Sequence, residues 1–213
     1  MIAAFMRFDL RSWVPRTQTL LPLALVVAVG IAMPVPGMAI VAAGVVASFT
    51  VSTAFLGDER SQLDTLYGVM PVSRGAVVAG RSLAVLAFAL VALALALVVT
   101  LAVAATRGQL PTADLIMVAF AAAFSFVGLS MSIQLPVLFH FGYTRGRLIA
   151  YAPAFVIAGA AWLAQATGSF DAVATAFAGV PALVAAAGGV LVGLAGVAVG
   201  ALLASRIYAR REL

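Results

Sequence analysis

Few residues of this chain can act as acid, base, ligand or nucleophile, and their types exclude more chemistry than they offer. All twelve basic residues are arginine. With no lysine, neither a phosphate loop of the GxxxxGK[ST] kind nor a Schiff-base lysine can be built. His140 is the only histidine and there is no cysteine, so the usual zinc sites, thiolate chemistry and disulfide frameworks are excluded too. What remains is one concentration of charge. In GDERSQLDTLYGVMPVSR, residues 57–74, Asp58, Glu59 and Asp64 are three of the seven acidic residues and stand with Arg60 and Arg74. Such a stretch can dock a charged protein surface. An intramembrane enzyme would need paired acids, histidines or a nucleophile with its base at depth, and none is visible.

The elements that must position this stretch are apolar. The chain is 65% hydrophobic and 9% charged, whereas soluble domains carry about 25% charged residues. A bilayer core of about 30 Å needs about 20 helical residues, and charge-free runs of that length predict an all-α polytopic membrane protein of six spans. They lie near 17–33, 38–56, 82–105, 115–139, 148–166 and 180–204, in one transmembrane domain over 1–213. Pro34-Val35-Pro36-Gly37 breaks the first long run and makes a tight outer turn. With the amino terminus inside, eleven arginines fall on the cytoplasmic side and only Arg107 outside. The positive-inside rule then puts both termini in the cytoplasm and the chain in the inner membrane. Arginines scattered between apolar runs to set topology need no nucleic-acid partner.

Residues 1–16, MIAAFMRFDLRSWVPR, do not form a cleavable signal peptide, because charges follow the short apolar start closely. Ile2, Phe5, Met6, Leu10 and Trp13 share one side of a helical wheel, with Arg7 and Arg11 opposite and Asp9 the exception. The expectation is a helix lying in the inner interface.

Every Asp, Glu and Arg falls outside the six spans or at their ends, which leaves no obvious ion-coupling group in the bilayer. The polar groups at depth are hydroxyls and one amide: Ser48, Thr50, Ser52 and Thr53 in the second span, and Ser125, Ser130, Ser132 and Gln134 in the fourth. They either bond between helices and to their own backbone or, at Ser52, Ser125, Ser130 and Gln134, line a substrate path. In the sixth span Gly189, Gly193, Gly196 and Gly200 repeat a small-xxx-small spacing that packs helices within or between chains.

Within the charged stretch, Leu63, Leu66, Tyr67 and Met70 follow i, i+3, i+4, i+7. A helix there would carry one apolar stripe, with Asp58, Glu59, Arg60 and Asp64 at its favourable starting end. Pro71 stops it, and Ser73 can cap a new helix running into the third span. Such a short amphipathic helix either rests on the headgroups or, joined rigidly to spans on both sides, receives a push and transmits it. Its acids would be repelled by an anionic membrane surface and tolerated by a basic protein partner.

FLGDERSQLDTLYGVMPVSRGAVVAGR resembles the first inner loop of small permease subunits of type-2 ATP-binding-cassette exporters. There an acidic pair leaves the second span and a leucine-rich turn leads to a Pro-Val/Ile-Ser-Arg element. PVLFHFGYTRGR, residues 136–147, is similar to that family's second inner loop at Pro136, Phe141, Gly142, Tyr143, Arg145 and Arg147, with His140 where lysine is usual. The resemblance implies that loops 57–81 and 139–147 act as coupling helices docking on a separate ATPase. Asp58, Glu59, Arg60, Asp64, Tyr67, Pro71, Ser73, Arg74, Phe141, Gly142, Tyr143, Arg145 and Arg147 would make the contact, with phosphate anchoring and topology the other role open to Arg74, Arg145 and Arg147. It further implies two ATPase copies that bind ATP and Mg, no cofactor in this chain, and a second permease chain, identical or sibling. The glycine-lined sixth span offers a face for that chain. Hydrophobic or amphipathic cargo such as peptide, lipid or drug suits an uncharged interior. The alternative is a non-transporting scaffold or regulatory subunit of a larger complex.

Overall fold

The computed structural model describes residues 2–13, 17–33, 35, 37–61, 73–169, 172, 175 and 179–209, with backbone alone at 12–13, 17–19, 60–61 and 161. Asp64, Tyr67, Pro71 and the apolar stripe around them lie outside the described residues, as do Pro34 and Pro36; the Arg60 side chain is likewise outside. The described helices are α1 (Ile2–Trp13), α2 (Thr17–Ala32), α3 (Met38–Ser61), α4 (Arg74–Arg107), α5 (Ala113–Ala166) and α6 (Ala182–Ala209). Among the described residues, α4, α5, α6 and Met38–Glu59 of α3 are long and apolar enough to cross a membrane, while Leu20–Ala32 is apolar but shorter. The chain is a multi-pass membrane protein.

Helix α5 has 54 residues and, if straight, would run about 81 Å, far beyond one hydrocarbon core of about 30 Å. It is not straight. Gly142 interrupts it at φ 73° and ψ −178°, a region open almost only to glycine. Gln134 Nε2 donates to the Ala150 carbonyl at 2.7 Å across sixteen residues, a separation that a straight helix stretches to about 24 Å. Gly146 likewise lies against Val137 and Leu138. Residues 113–141 and 143–166 are therefore two limbs lying side by side, and the chain reverses at one glycine. The inner loop expected at 139–147 is helical on both sides of that residue.

Helix α6 lies along the first limb at backbone distance. A Cβ built on Gly196 would come within 2.5 Å of the Gly128 carbonyl, and one on Gly200 within 2.6 Å of the Met131 carbonyl oxygen. Gly193 faces Phe124, and Gly189 faces Ala121 and Ser125. Of packing within or between chains, these contacts show the former: the first limb of the same chain lies on the glycines, because only an absent side chain lets two helix backbones come this close. The core between α3, α4 and the first limb is made of buried Ile40, Val51, Val85, Leu93, Met131 and Leu135.

Both ends of α4 tie down other helices. Ser73 is its N-cap, accepting from the Ala76 amide at 3.3 Å. At the far end Arg107 donates to the carbonyls of Ile31 at 2.9 Å and Met33 at 3.2 Å. A guanidinium there satisfies carbonyls left open at the end of α2 and suits the negative end of its dipole.

Candidate functional site at one end of the bundle

Helices α3 and α6 end, and α4 begins, at one end of the bundle, where the charged residues gather. Asp58 and Glu59 do not start a new helix. They occupy the last turns of α3, which runs on to Ser61, and a carboxylate is unfavourable there because the open carbonyls give that end partial negative charge. Each acid meets a compensating group on another element.

Asp58 is buried and pairs with Arg81, whose Nη1 donates to its Oδ2. The same guanidinium donates from Nε to Asp9 Oδ2 at 3.1 Å and from Nη2 towards Oδ1 at 3.3 Å. Arg81 and Asp9 are each 1% exposed. A buried arginine is tolerated only with its donors satisfied, and here two carboxylates from two other helices do so. Phe55 supplies a ring face 4.8 Å from Arg81 Cζ and Phe5 one at 5.9 Å. Asp9, the exception on the α1 wheel, is thus the residue that anchors α1 to α4. Phe5 presses on Gly80 beside it. The expectation that Asp58 faces a basic partner protein is corrected, since its partner is within the chain.

Glu59 reaches the second limb of α5. Its Oε1 accepts from the Thr144 amide at 3.1 Å, and its Oε2 accepts from the Thr144 hydroxyl at 2.6 Å. Thr144 lies in the first turn after Gly142, where helix amides have no partner of their own, so Glu59 caps a helix from across the bundle. Gly142 leaves room for it, because a Cβ there would collide with Glu59 Oε1.

Arg74 opens α4 and closes α6. Its Nη1 donates to the carbonyls of Tyr208 at 3.0 Å and Ala209 at 3.1 Å, and Cζ lies 5.7 Å from the Tyr208 ring. The Tyr208 ring packs on Phe139 at 5.1 Å between centroids, and Phe139 meets Phe55 edge-on at 4.9 Å. An unbroken line of contacts runs from Arg74 through three aromatic rings to Arg81 and Asp9, joining α6, the first limb, α3, α4 and α1.

Beside this line the turn of α5 presents a surface. Phe141, Arg145 and Arg147 are exposed, as is His140, whose ring stacks edge-on against Phe141 at 4.4 Å. Tyr143 is partly buried against the core. Of the residues expected to contact a partner, the structure thus brings Glu59, Gly142, Tyr143, Arg145 and Arg147 together and turns Asp58 and Arg74 to other tasks.

Three of the depth-lying polar residues, Gln134, Ser52 and Ser125, act between helices, whereas Thr50, Thr53 and Ser132 bond to carbonyls of their own helix. Gln134 Nε2 is shared between Ala150 and Ser48 Oγ, the latter at 3.2 Å. Ser52 bonds to the Phe49 carbonyl and the Tyr151 hydroxyl, and Ser125 Oγ lies 2.6 Å from the Gly189 carbonyl. Among the described residues Ser130 Oγ and Gln134 Oε1 are buried without a hydrogen-bond partner. An apolar recess of about 560 Å³ opens between α3 and the two limbs, lined among others by Val41, Phe49, Phe126, Leu129, Phe155 and Ile157, with Ser125 at its edge. Among the described residues no three His, Asp or Glu side chains converge as a metal site.

Asp9, Arg81, Thr144 and Tyr208 went unassigned in the sequence reading. For two of them a signal existed: Asp9 shares a helix face with Phe5, and Arg81 lies among buried Val77, Val78, Ala84 and Val85. A lone charge on an apolar face asks for an opposite charge on a neighbouring one.

Compared with known proteins, residues 9–209 match the family described as ABC-2 family transporter protein. That is nearly the whole chain. No curated protein and no solved structure matches.

Proposed function

The chain belongs to the ABC-2 transporter family, and from that premise we propose that it is the permease subunit of an ATP-driven exporter, worked by a separate ATPase that binds ATP and Mg. The two limbs of α5 count as separate spans and α2 as a short one, giving six crossings with both termini on the cytoplasmic face of the inner membrane. Two permease chains and two ATPases complete the transporter. The observation that carries this reading is the Glu59 to Thr144 link. It ties the root of the first inner loop to the turn that displays Phe141, Arg145 and Arg147, so a partner gripping either element moves both. Residues 62–72, with Asp64 and Tyr67, supply the rest of the grip.

ATPase closure would then move the linked inner ends of α3 and the α5 turn together and change the recess that α3 and the two limbs line, which gives alternating access a location. Its apolar lining, with the nearby hydroxyls and amide engaged between helices, favours hydrophobic or amphipathic cargo. The test is co-purification of the full chain with the ATPase encoded beside its gene, comparing wild type with Arg145→Glu combined with Arg147→Glu. Loss of the ATPase from a chain that still elutes as a monodisperse peak is expected. Full assembly and ATP turnover in that variant would remove the coupling reading, and assembly without cargo movement in proteoliposomes would favour a scaffold.

A further inference from the structure

The coupling face leaves one charged surface unused, on the outer side of α1. Asp9 and Phe5 face α4 and fix the rotation of α1 about its own axis. That rotation turns Arg7 and Arg11 to the opposite side, where both are exposed. Neither makes an ion pair among the described residues. One helical turn separates them, so their side chains project from the same face, about 5–6 Å apart at Cβ. Beside them Phe8 is 46% exposed, and together with Ala3, Ala4 and both arginines it lines a recess of about 390 Å³.

We propose that this face of α1 is a binding site for the phosphate of an anionic glycerophospholipid, held between Arg7 and Arg11, with Phe8 against the glycerol and acyl region. Each component answers a part of that ligand. Two guanidiniums converge on phosphate oxygens through paired, charge-assisted hydrogen bonds. An exposed aromatic ring beside them suits the boundary between headgroup and chain, where amphipathic helices rest. α1 is three residues from α2, which holds it at the membrane surface where a lipid and not a soluble anion is at hand. Because Asp9 on the other side of the same helix holds Arg81, the lipid on one side and the root of the first inner loop on the other share one rigid element.

Native mass spectrometry of the full-length chain, titrated with phosphatidylglycerol or phosphatidylcholine, tests the site. The lipid with the anionic headgroup is expected to bind preferentially. Arg7→Gln and Arg11→Gln should each weaken phosphatidylglycerol binding about fivefold, with phosphatidylcholine unaffected. Arg206→Gln, an exposed arginine near the end of α6, removes the same charge elsewhere and should leave binding unchanged. The proposal is overturned if Arg206→Gln weakens binding as much as Arg7→Gln, which means diffuse charge attraction. It is overturned equally if inorganic phosphate at matched concentration displaces the lipid, which means an anion site. All three variants alter exposed side chains, so folding is preserved, and an unchanged elution profile checks this.

Discussion

Glu59, at the end of α3, accepts hydrogen bonds from both the backbone amide and the hydroxyl of Thr144, 85 positions along the chain. A helix end that carries excess negative charge and a helix start that lacks acceptors compensate each other through one side chain. Substituting Glu59 with Ala should cost about 1 kcal/mol at this junction, in the range of lost N-caps. Amide hydrogen exchange at 143–146 should then accelerate about fivefold while exchange in α4 is unchanged. Equal protection in the variant would mean that the junction is held by other contacts.

Gly142 carries the reversal of α5 at a backbone conformation with φ 73° and ψ −178°. Gly142→Ala should destabilise the protein by roughly 1–3 kcal/mol, since only glycine enters this region without strain. The added methyl also displaces Glu59. Thermal unfolding in detergent should show a lower midpoint for Gly142→Ala than for Gly159→Ala, where a Cβ meets nothing. A midpoint as high as that of the control contradicts the single-residue turn.

Arg81 joins α1, α3 and α4 through Asp9 and Asp58. Arg81→Gln leaves two buried carboxylates without their guanidinium and should cost roughly 3–5 kcal/mol, as measured for broken buried ion pairs. Combining Arg81→Met with Asp9→Asn and Asp58→Asn removes all three charges and should recover much of that loss. The midpoint of thermal unfolding is the measurement, and an additive loss across the three sites would show that they do not act as a unit.

Gly196 lies on the backbone of Gly128. Gly196→Leu should push α6 off the first limb and abolish a monodisperse elution profile, whereas Gly188→Leu, in open space, should elute as wild type. If Gly196→Leu instead leaves the fold intact and only changes oligomeric state, the glycines serve an interface between chains.

Hydropathy is a local, additive property, so the membrane setting and the apolar runs were legible from residue types alone. Ser73 could be read as a cap for the same reason, since capping is decided within four residues. The acidic pair was visible as chemistry but not as geometry. A helix was expected to start at Asp58, yet α3 continues through it, because tertiary partners reverse what the dipole alone favours.

Which charges meet was decided only in three dimensions. Arg81 lies 72 positions from Asp9 and 23 from Asp58, and no spacing rule spans such distances between separate helices. The glycine spacing of α6 announced close packing but not whose backbone fills it, and the fold selected the first limb of α5. Composition determines that a segment enters the membrane; the desolvation of each charge buried at the segment ends determines which helices must come together to satisfy it.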